Sequence, residues 1–392
     1  MEFIYLDHNA TTPLSSESHR AILEGLSFFG NPSSIHWAGR KSKNKIREAR
    51  AQIAQLLNVS PLELIFTSGA SEANNTVIKT LFQISSKKHF ITSQVEHPSV
   101  LKTFEAIERL GARVDYIPVN REGFLNLEIY KKCLSEQTAL VSIMYANNET
   151  GSLFPIAELA RMAHEKGALF HTDAVQALGK IPVDLAELGV DYASFSAHKF
   201  YALKGTGVLF AKKGVPQIPL IHGGAQERHR RGGTENVLGI LSLGAMASQK
   251  ARIGHEAERL QGLRDFLQAS LLQEIPEVSV TAGLAPRLPN TLSLVLKGVD
   301  GETLLMNLDI KGYAVSTGAA CSSGNPEPSP VLLALGLTRD EAQNSLRISL
   351  GWETTETQVL QFIQDLKASV ARLRQIEDEQ RRRGENQHVG EA

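Results

Sequence analysis

Two short apolar runs of this chain each stop at polar groups, and the types of those groups have a joint chemical meaning. Residues 168–176 read Ala-Leu-Phe-His-Thr-Asp-Ala-Val-Gln, and residues 192–199 read Tyr-Ala-Ser-Phe-Ser-Ala-His-Lys. A run of this kind predicts a buried parallel strand that delivers polar groups at its carboxyl end, where α/β sheets bind ligands. Asp173 and Lys199 are the informative pair. A carboxylate facing a ring nitrogen and a lysine able to form an imine are what a protein supplies for pyridoxal phosphate chemistry. Taken singly, each has a plainer reading. Asp173 would cap a helix starting near Val175, and Lys199 would be a surface lysine.

Further residues gather around that pair in the sequence. Gln176 follows Asp173 at a spacing suited to a ring oxygen, and Ser196 and His198 are donors suited to a phosphate. Residues 66–75, Phe-Thr-Ser-Gly-Ala-Ser-Glu-Ala-Asn-Asn, pass from a strand into a helix whose free N–H groups, with Ala70 and Ser71 at its mouth, would cradle an anion. His97, in Val-Glu-His-Pro-Ser, offers a flat ring that titrates near neutrality. Cys321 lies in residues 316–330, Ser-Thr-Gly-Ala-Ala-Cys-Ser-Ser-Gly-Asn-Pro-Glu-Pro-Ser-Pro, a stretch without the large apolar side chains that build a core. It is expected to be a mobile loop reaching outward about 15–18 Å at ~3.3 Å per residue. Its thiol would then be able to enter a pocket, take up an atom and leave. The other cysteine, Cys133, has no such setting.

The elements that must position these residues follow from patterning. Apolar runs at 64–67, 89–92, 114–119, 139–145, 168–172, 192–196 and 207–210 alternate with helix-like stretches, which predicts a mostly parallel seven-stranded sheet covered on both faces. A long helix is expected over 245–274, then strands at 278–281, 291–296 and 346–350 in a smaller α+β unit. An apolar stripe at Val359, Ile363, Leu366, Val370 and Leu373 marks a C-terminal helix. The expected division is a large domain over residues 14–253, a small domain over 1–13 and 254–376, and a polar tail over 377–392 that is a frayed helix or disordered.

With 41 Lys plus Arg against 42 Asp plus Glu, the net charge of −1 gives no global pull toward nucleic acid or an anionic membrane. The N-terminal segment lacks the basic region and apolar core of a signal peptide, so a cytoplasmic protein is expected. Two cysteines in 392 residues cannot make a disulfide scaffold, and neither a Cys-x-x-Cys nor a His-x-x-x-His pair supports a metal site. Neither a Gly-x-x-x-x-Gly-Lys-Ser/Thr nor a Gly-x-Gly-x-x-Gly loop favours a nucleotide.

Together with residues 5–13, 30–34, 146–151, 231–236 and 345–350, these segments resemble the cysteine desulfurase family of pyridoxal phosphate enzymes, class-V aminotransferases in fold, in the subgroup with the longer cysteine loop. The resemblance implies that Lys199 holds pyridoxal 5'-phosphate covalently. Asp173 would face the ring nitrogen, Gln176 the ring oxygen and His97 the ring face. Phosphate contacts would come from Ala70, Ser71, Ser196, His198 and Thr234, the last supplied by the neighbouring subunit of a homodimer. Asn148 and Arg347 would grip the carboxylate of L-cysteine, Lys199 would move the α-proton, and the Cys321 thiolate would take the sulfur as a persulfide. Sulfur acceptors such as an iron–sulfur scaffold protein are the implied partners. Selenocysteine lyase or a related pyridoxal phosphate lyase is the alternative. Two positions depart from the family: Leu203 stands where proline is usual, and Trp352 where many members have arginine.

Overall fold

A computed structural model describes residues 3–317 and 327–389, with side chains up to residue 379. Among the described residues the strands are β1 (Ile4–Tyr5), β2 (Leu64–Thr67), β3 (His89–Ser93), β4 (Arg113–Ile117), β5 (Thr138–Ser142), β6 (Leu169–Asp173), β7 (Tyr192–Ser196), β8 (Gly207–Ala211), β9 (Val278–Val280), β10 (Thr291–Leu296), β11 (Tyr313–Ala314) and β12 (Ser345–Ser349). Seven form one sheet in the order β2-β8-β7-β6-β5-β3-β4, in which only β8 runs against the others. The expected seven-stranded, mostly parallel sheet is therefore present.

Why the strands read as unbroken apolar runs is visible in their packing. Successive residues point to opposite faces, and each face has its own core. Phe90, Leu140 and Leu209 join Val77, Leu81 and Phe104 of the helices Ala70–Ile84 and Pro98–Glu108 on one side. Ile91, Val141 and Phe210 join Phe170, Phe195 and Leu159 on the other. Each such side chain, removed fully from water, contributes roughly 1.5–3 kcal/mol.

A second, antiparallel sheet has the order β12-β10-β9. The chain start is tied to this part of the molecule: β1 pairs with β11, and Asp7 bridges to Ser349.

Two expectations are corrected. The segment expected as one helix over 245–274 is two, Val237–Ala247 and Lys250–Glu274. The first packs so closely on the helix Trp37–Leu57 that a Cβ at Gly244 would meet Ala49 at 2.6 Å, which fixes an axis separate from the second. No helix begins at Val175; residues 174–180 form turns, and Gly179, at φ +78°, sits where a Cβ would come within 2.0 Å of the Phe200 ring. At the C-terminus, of the two alternatives expected for the tail, a frayed helix or disorder, the helical one is found: the helix Glu356–Val389 runs on through it.

Candidate active site

Because β2, β3, β5, β6 and β7 run in one direction, their carboxyl ends open on one edge of the sheet, and the segments leaving them meet there. Gly69, Ala70 and Ser71 follow β2, His97 follows β3, Asn148 follows β5, Asp173 ends β6, and Ser196, His198 and Lys199 end or follow β7. All of these, with Gln176 and with Arg347 of β12, line one cavity of about 660 Å³. The size suits a cofactor together with a small substrate.

The sheet side of the cavity is held by a chain of hydrogen bonds. Asp173 is buried; its Oδ1 accepts from the Val175 N–H at 3.1 Å and its Oδ2 from Asn74 Nδ2 at 2.8 Å. The other N–H of Asn74 reaches Ser99 Oγ at 2.9 Å, which leaves the Ser99 hydroxyl to donate to His97 Nδ1 at 2.8 Å. That nitrogen also accepts from the Ser99 N–H at 3.1 Å, so in a neutral ring the proton sits on Nε2. Displacement of water by the surrounding protein keeps His97 below the ordinary histidine range, opposed by Asp173 and assisted by Lys199.

Lys199 is pulled down to about 8, chiefly by burial and then by the Arg347 charge, against the pull of Asp7 and Asp173. Its amine donates to the backbone carbonyls of Asn9 and Ala10, both at 2.6 Å. Beside it, His198 is lowered to about 4 by burial and by Lys199 and Lys204, so its ring is neutral near pH 7. Its Nδ1 lies 3.0 Å from Thr11 Oγ1.

The residues fit pyridoxal phosphate. The helix Ala70–Ile84 begins at Gly69 with no side-chain cap, leaving first-turn N–H groups free at the cavity, and a Cβ on Gly69 would lie 3.7 Å from Ser196 Oγ, inside that cradle. A free donor set, a carboxylate, a flat ring and a partly deprotonated lysine are the groups a phosphorylated pyridine aldehyde needs.

Across the cavity, Arg347 is buried, donating from Nη2 to Asp7 Oδ1 at 2.7 Å and from Nη1 to the Asn148 carbonyl at 3.1 Å, while its Nε is buried without a partner. Cys321 lies outside the described residues. The described residues on either side of it are anchored at the same place: Ser316 exchanges two backbone bonds with Arg347, at 3.1 and 2.7 Å, and Ser329 donates to Glu149, next to Asn148, at 2.5 Å.

One expected residue is not in this cavity of its own chain. Thr234 is exposed beside a smaller cavity of about 160 Å³ that shares Ser68 and Gly205 with the main one. Cys133 is half-buried, and burial pushes its thiol up, away from reactivity. The two departures lie outside the cavity lining. Leu203 donates its N–H to Ser242 Oγ at 3.0 Å, and Trp352 stacks on Tyr201 at 4.6 Å with the Arg252 guanidinium 4.5 Å from its ring centre. Among the described residues no helix is long and apolar enough to cross a membrane, and no group of three His, Cys, Asp or Glu side chains is placed to hold a metal.

Sequence reasoning missed Asn74, Ser99, Asn9 and Lys180. Asn9 lies inside a segment that the family resemblance used and Asn74 just past one, but nothing local marked their side chains as braces.

Residues 4–362 match the family described as Aminotransferase class-V. The chain is 46% identical over 377 residues to the cysteine desulfurase IscS of Dictyoglomus turgidum, covering 95% of this chain and 96% of that one. Among solved structures it is similar to a NifS-like protein, with a TM-score of 0.88 at 38% identity over 94% of this chain and 100% of the other. It is also similar to SspA in complex with cysteine, with a TM-score of 0.78 at 32% identity over 88% of this chain and 98% of that one.

Proposed function

The chain belongs to the class-V aminotransferases and, within them, to the cysteine desulfurases, and from that premise we propose how its own residues carry the removal of sulfur from L-cysteine. What supports the reading most is the meeting of Lys199, Asp173 and His97 with an uncapped helix start in one cavity. When bound, pyridoxal 5'-phosphate supplies an electron sink for negative charge at the substrate's α-carbon.

Lys199 is the attachment point, and its lowered pKa leaves a usable fraction of uncharged amine near neutrality. The free N–H groups at Ala70 and Ser71, with Ser196 and His198, hold the phosphate, and Thr234 of a second subunit completes that shell in a homodimer. Asp173, fixed by Asn74 and the Val175 N–H, keeps its charge aimed at the ring nitrogen. His97 covers the ring. Arg347 and Asn148 take the substrate carboxylate, Arg347 exchanging part of its contact with Asp7. Lys199 would move the proton at the substrate's α-carbon.

Cys321 takes the sulfur. Its thiolate forms an S–S bond to the substrate sulfur as the carbon–sulfur bond breaks, so L-cysteine and a thiol become L-alanine and a persulfide, with no outside oxidant. The persulfide is then passed to an acceptor protein such as an iron–sulfur scaffold.

Incubation of the purified protein with L-cysteine and a reductant is expected to give alanine and sulfide in equal amounts. Cys321→Ala is expected to bind L-cysteine, with a change in cofactor absorption, and to make almost no alanine. Retention of most alanine production by Cys321→Ala would overturn the thiol route and leave direct lyase chemistry, of the kind that acts on selenocysteine, in its place.

A further inference from the structure

Lys180 stands where lysine is rarely found. It is only 7% exposed, and among the described residues it makes no ion pair. Burial of an ammonium without a counter-ion is among the most unfavourable placements a side chain can take. Accordingly, burial holds its amine well below the usual lysine range, assisted by Lys199 and Arg347 and opposed by Asp7. Its contacts are two amide oxygens, Asn9 Oδ1 at 2.7 Å and Gln176 Oε1.

Both amides are committed at their other ends as well. Asn9 Nδ2 donates to Thr291 Oγ1 at 2.9 Å and to the Asn148 carbonyl at 3.0 Å. Gln176 Nε2 donates to the Asn9 carbonyl at 2.9 Å, the same carbonyl that accepts from Lys199. An amide whose oxygen accepts from the Lys180 amine is held against turning over, since the rotated group would set N–H against N–H. One N–H of Gln176, a residue of the cavity wall, remains for a ligand.

We propose that Lys180 is a positioning residue: with Asn9 as its second acceptor it locks the Gln176 amide, so that the cavity is offered a hydrogen-bond donor, and not an acceptor, at residue 176. This rests on the cofactor reading above, in which residue 176 meets the ring oxygen. Such a donor favours the negatively charged oxygen and so lowers the affinity of the linked ring for its last proton.

The test uses the holoenzyme, Lys180→Met, Gln176→Ala and the double variant, with the visible absorption of the Lys199-linked cofactor titrated against pH and its attachment checked by borohydride reduction. Lys180→Met is expected to keep the label on Lys199 and to raise the titration midpoint by about half a unit or more. It is also expected to weaken cofactor retention on the order of threefold to tenfold. Gln176→Ala is expected to move the midpoint the same way, and the double variant no further than Gln176→Ala alone. An unmoved midpoint in Lys180→Met would overturn the proposal. So would shifts that add in full, because a charge acting at a distance, without the lock, is indifferent to residue 176. Should Lys180→Met not fold, Lys180→Leu carries the same comparison. A wild-type protein with no cofactor label at Lys199 would instead overturn the cofactor reading itself.

Discussion

At the Lys199 amine two walls of the cavity meet, one made at the strand ends of the large sheet and the other by residues 7–12 with β12. On the sheet wall the chemistry is carried by side chains: Asp173, His97, Ser196 and Lys199. Asp173 and Ser196 end strands that are paired on both sides, and His97 and Lys199 follow such strands within a few residues, so the backbone leading to each starts from a fixed position. On the other wall the contacts to Lys199 are backbone carbonyls, those of Asn9 and Ala10. That segment follows a two-residue strand and is held by one bridge and by backbone bonds from the His8 N–H to the Ser349 carbonyl and from the Thr12 N–H to the His198 carbonyl, and side chains stitch it down further. Asn9 takes a bond from its own N–H to Ser349 Oγ at 2.9 Å, and Thr12 Oγ1 donates to the His198 carbonyl at 2.9 Å. A sheet holds functional side chains with its backbone alone; this loop needs its side chains as well to hold functional backbone.

The two walls are expected to fail differently. Asp173→Asn keeps the shape of the sheet wall and removes its charge, so cofactor attachment at Lys199 is retained while kcat/KM for L-cysteine falls on the order of 10²-fold or more. Arg347→Lys keeps the charge of the opposite wall and loses the planar fork that Asp7 and the Asn148 carbonyl share. Its expected effect is smaller and of another kind: KM for L-cysteine rises about tenfold with kcat changed much less, the mark of lost ground-state binding. Steady-state kinetics on both variants check this. A fall in kcat at constant KM in both would erase the distinction between the walls.

The same contrast explains what was legible in the sequence. β6 and β7 lie within one residue of their expected limits because a buried parallel strand must be apolar throughout, and Asp173 and Lys199 stood out because each ended such a run. The helix break after Ala247 was invisible because both halves are helix-forming, and close packing at Gly244, rather than any stop residue, separates them. Backbone carbonyls that accept from a functional side chain, such as those of Asn9 and Ala10, leave no signature in residue type. Lys180 was passed over because a lysine is ordinarily on the surface, and only the turn pinned at Gly179 against Phe200 sends it inward.

The smallest expected effect weighs the two walls against each other at Lys199 in the cofactor-free protein. Burial and then the Arg347 charge disfavour the charged amine, whereas Asp7, Asp173 and the two carbonyls favour it; the net displacement to about 8 says that burial and Arg347 prevail. The sign for stability follows from proton counts. Between about pH 8 and the ordinary lysine value near 10.4 the unfolded chain holds a proton on residue 199 that the folded chain has lost, so this residue makes stability rise with pH through that window. Below it both states are protonated, and the folded state bears the full cost of the buried charge. Lys199→Met removes that cost. Denaturant unfolding of the cofactor-free wild type and variant at several pH values should therefore show the variant ahead at pH 7, by no more than about 1–2 kcal/mol after solvent screening is allowed for, with the gap closing toward pH 10. A gap that instead widens with rising pH would mean that Asp7, Asp173 and the carbonyls of Asn9 and Ala10 outweigh burial and Arg347, and that the folded chain holds the lysine charged.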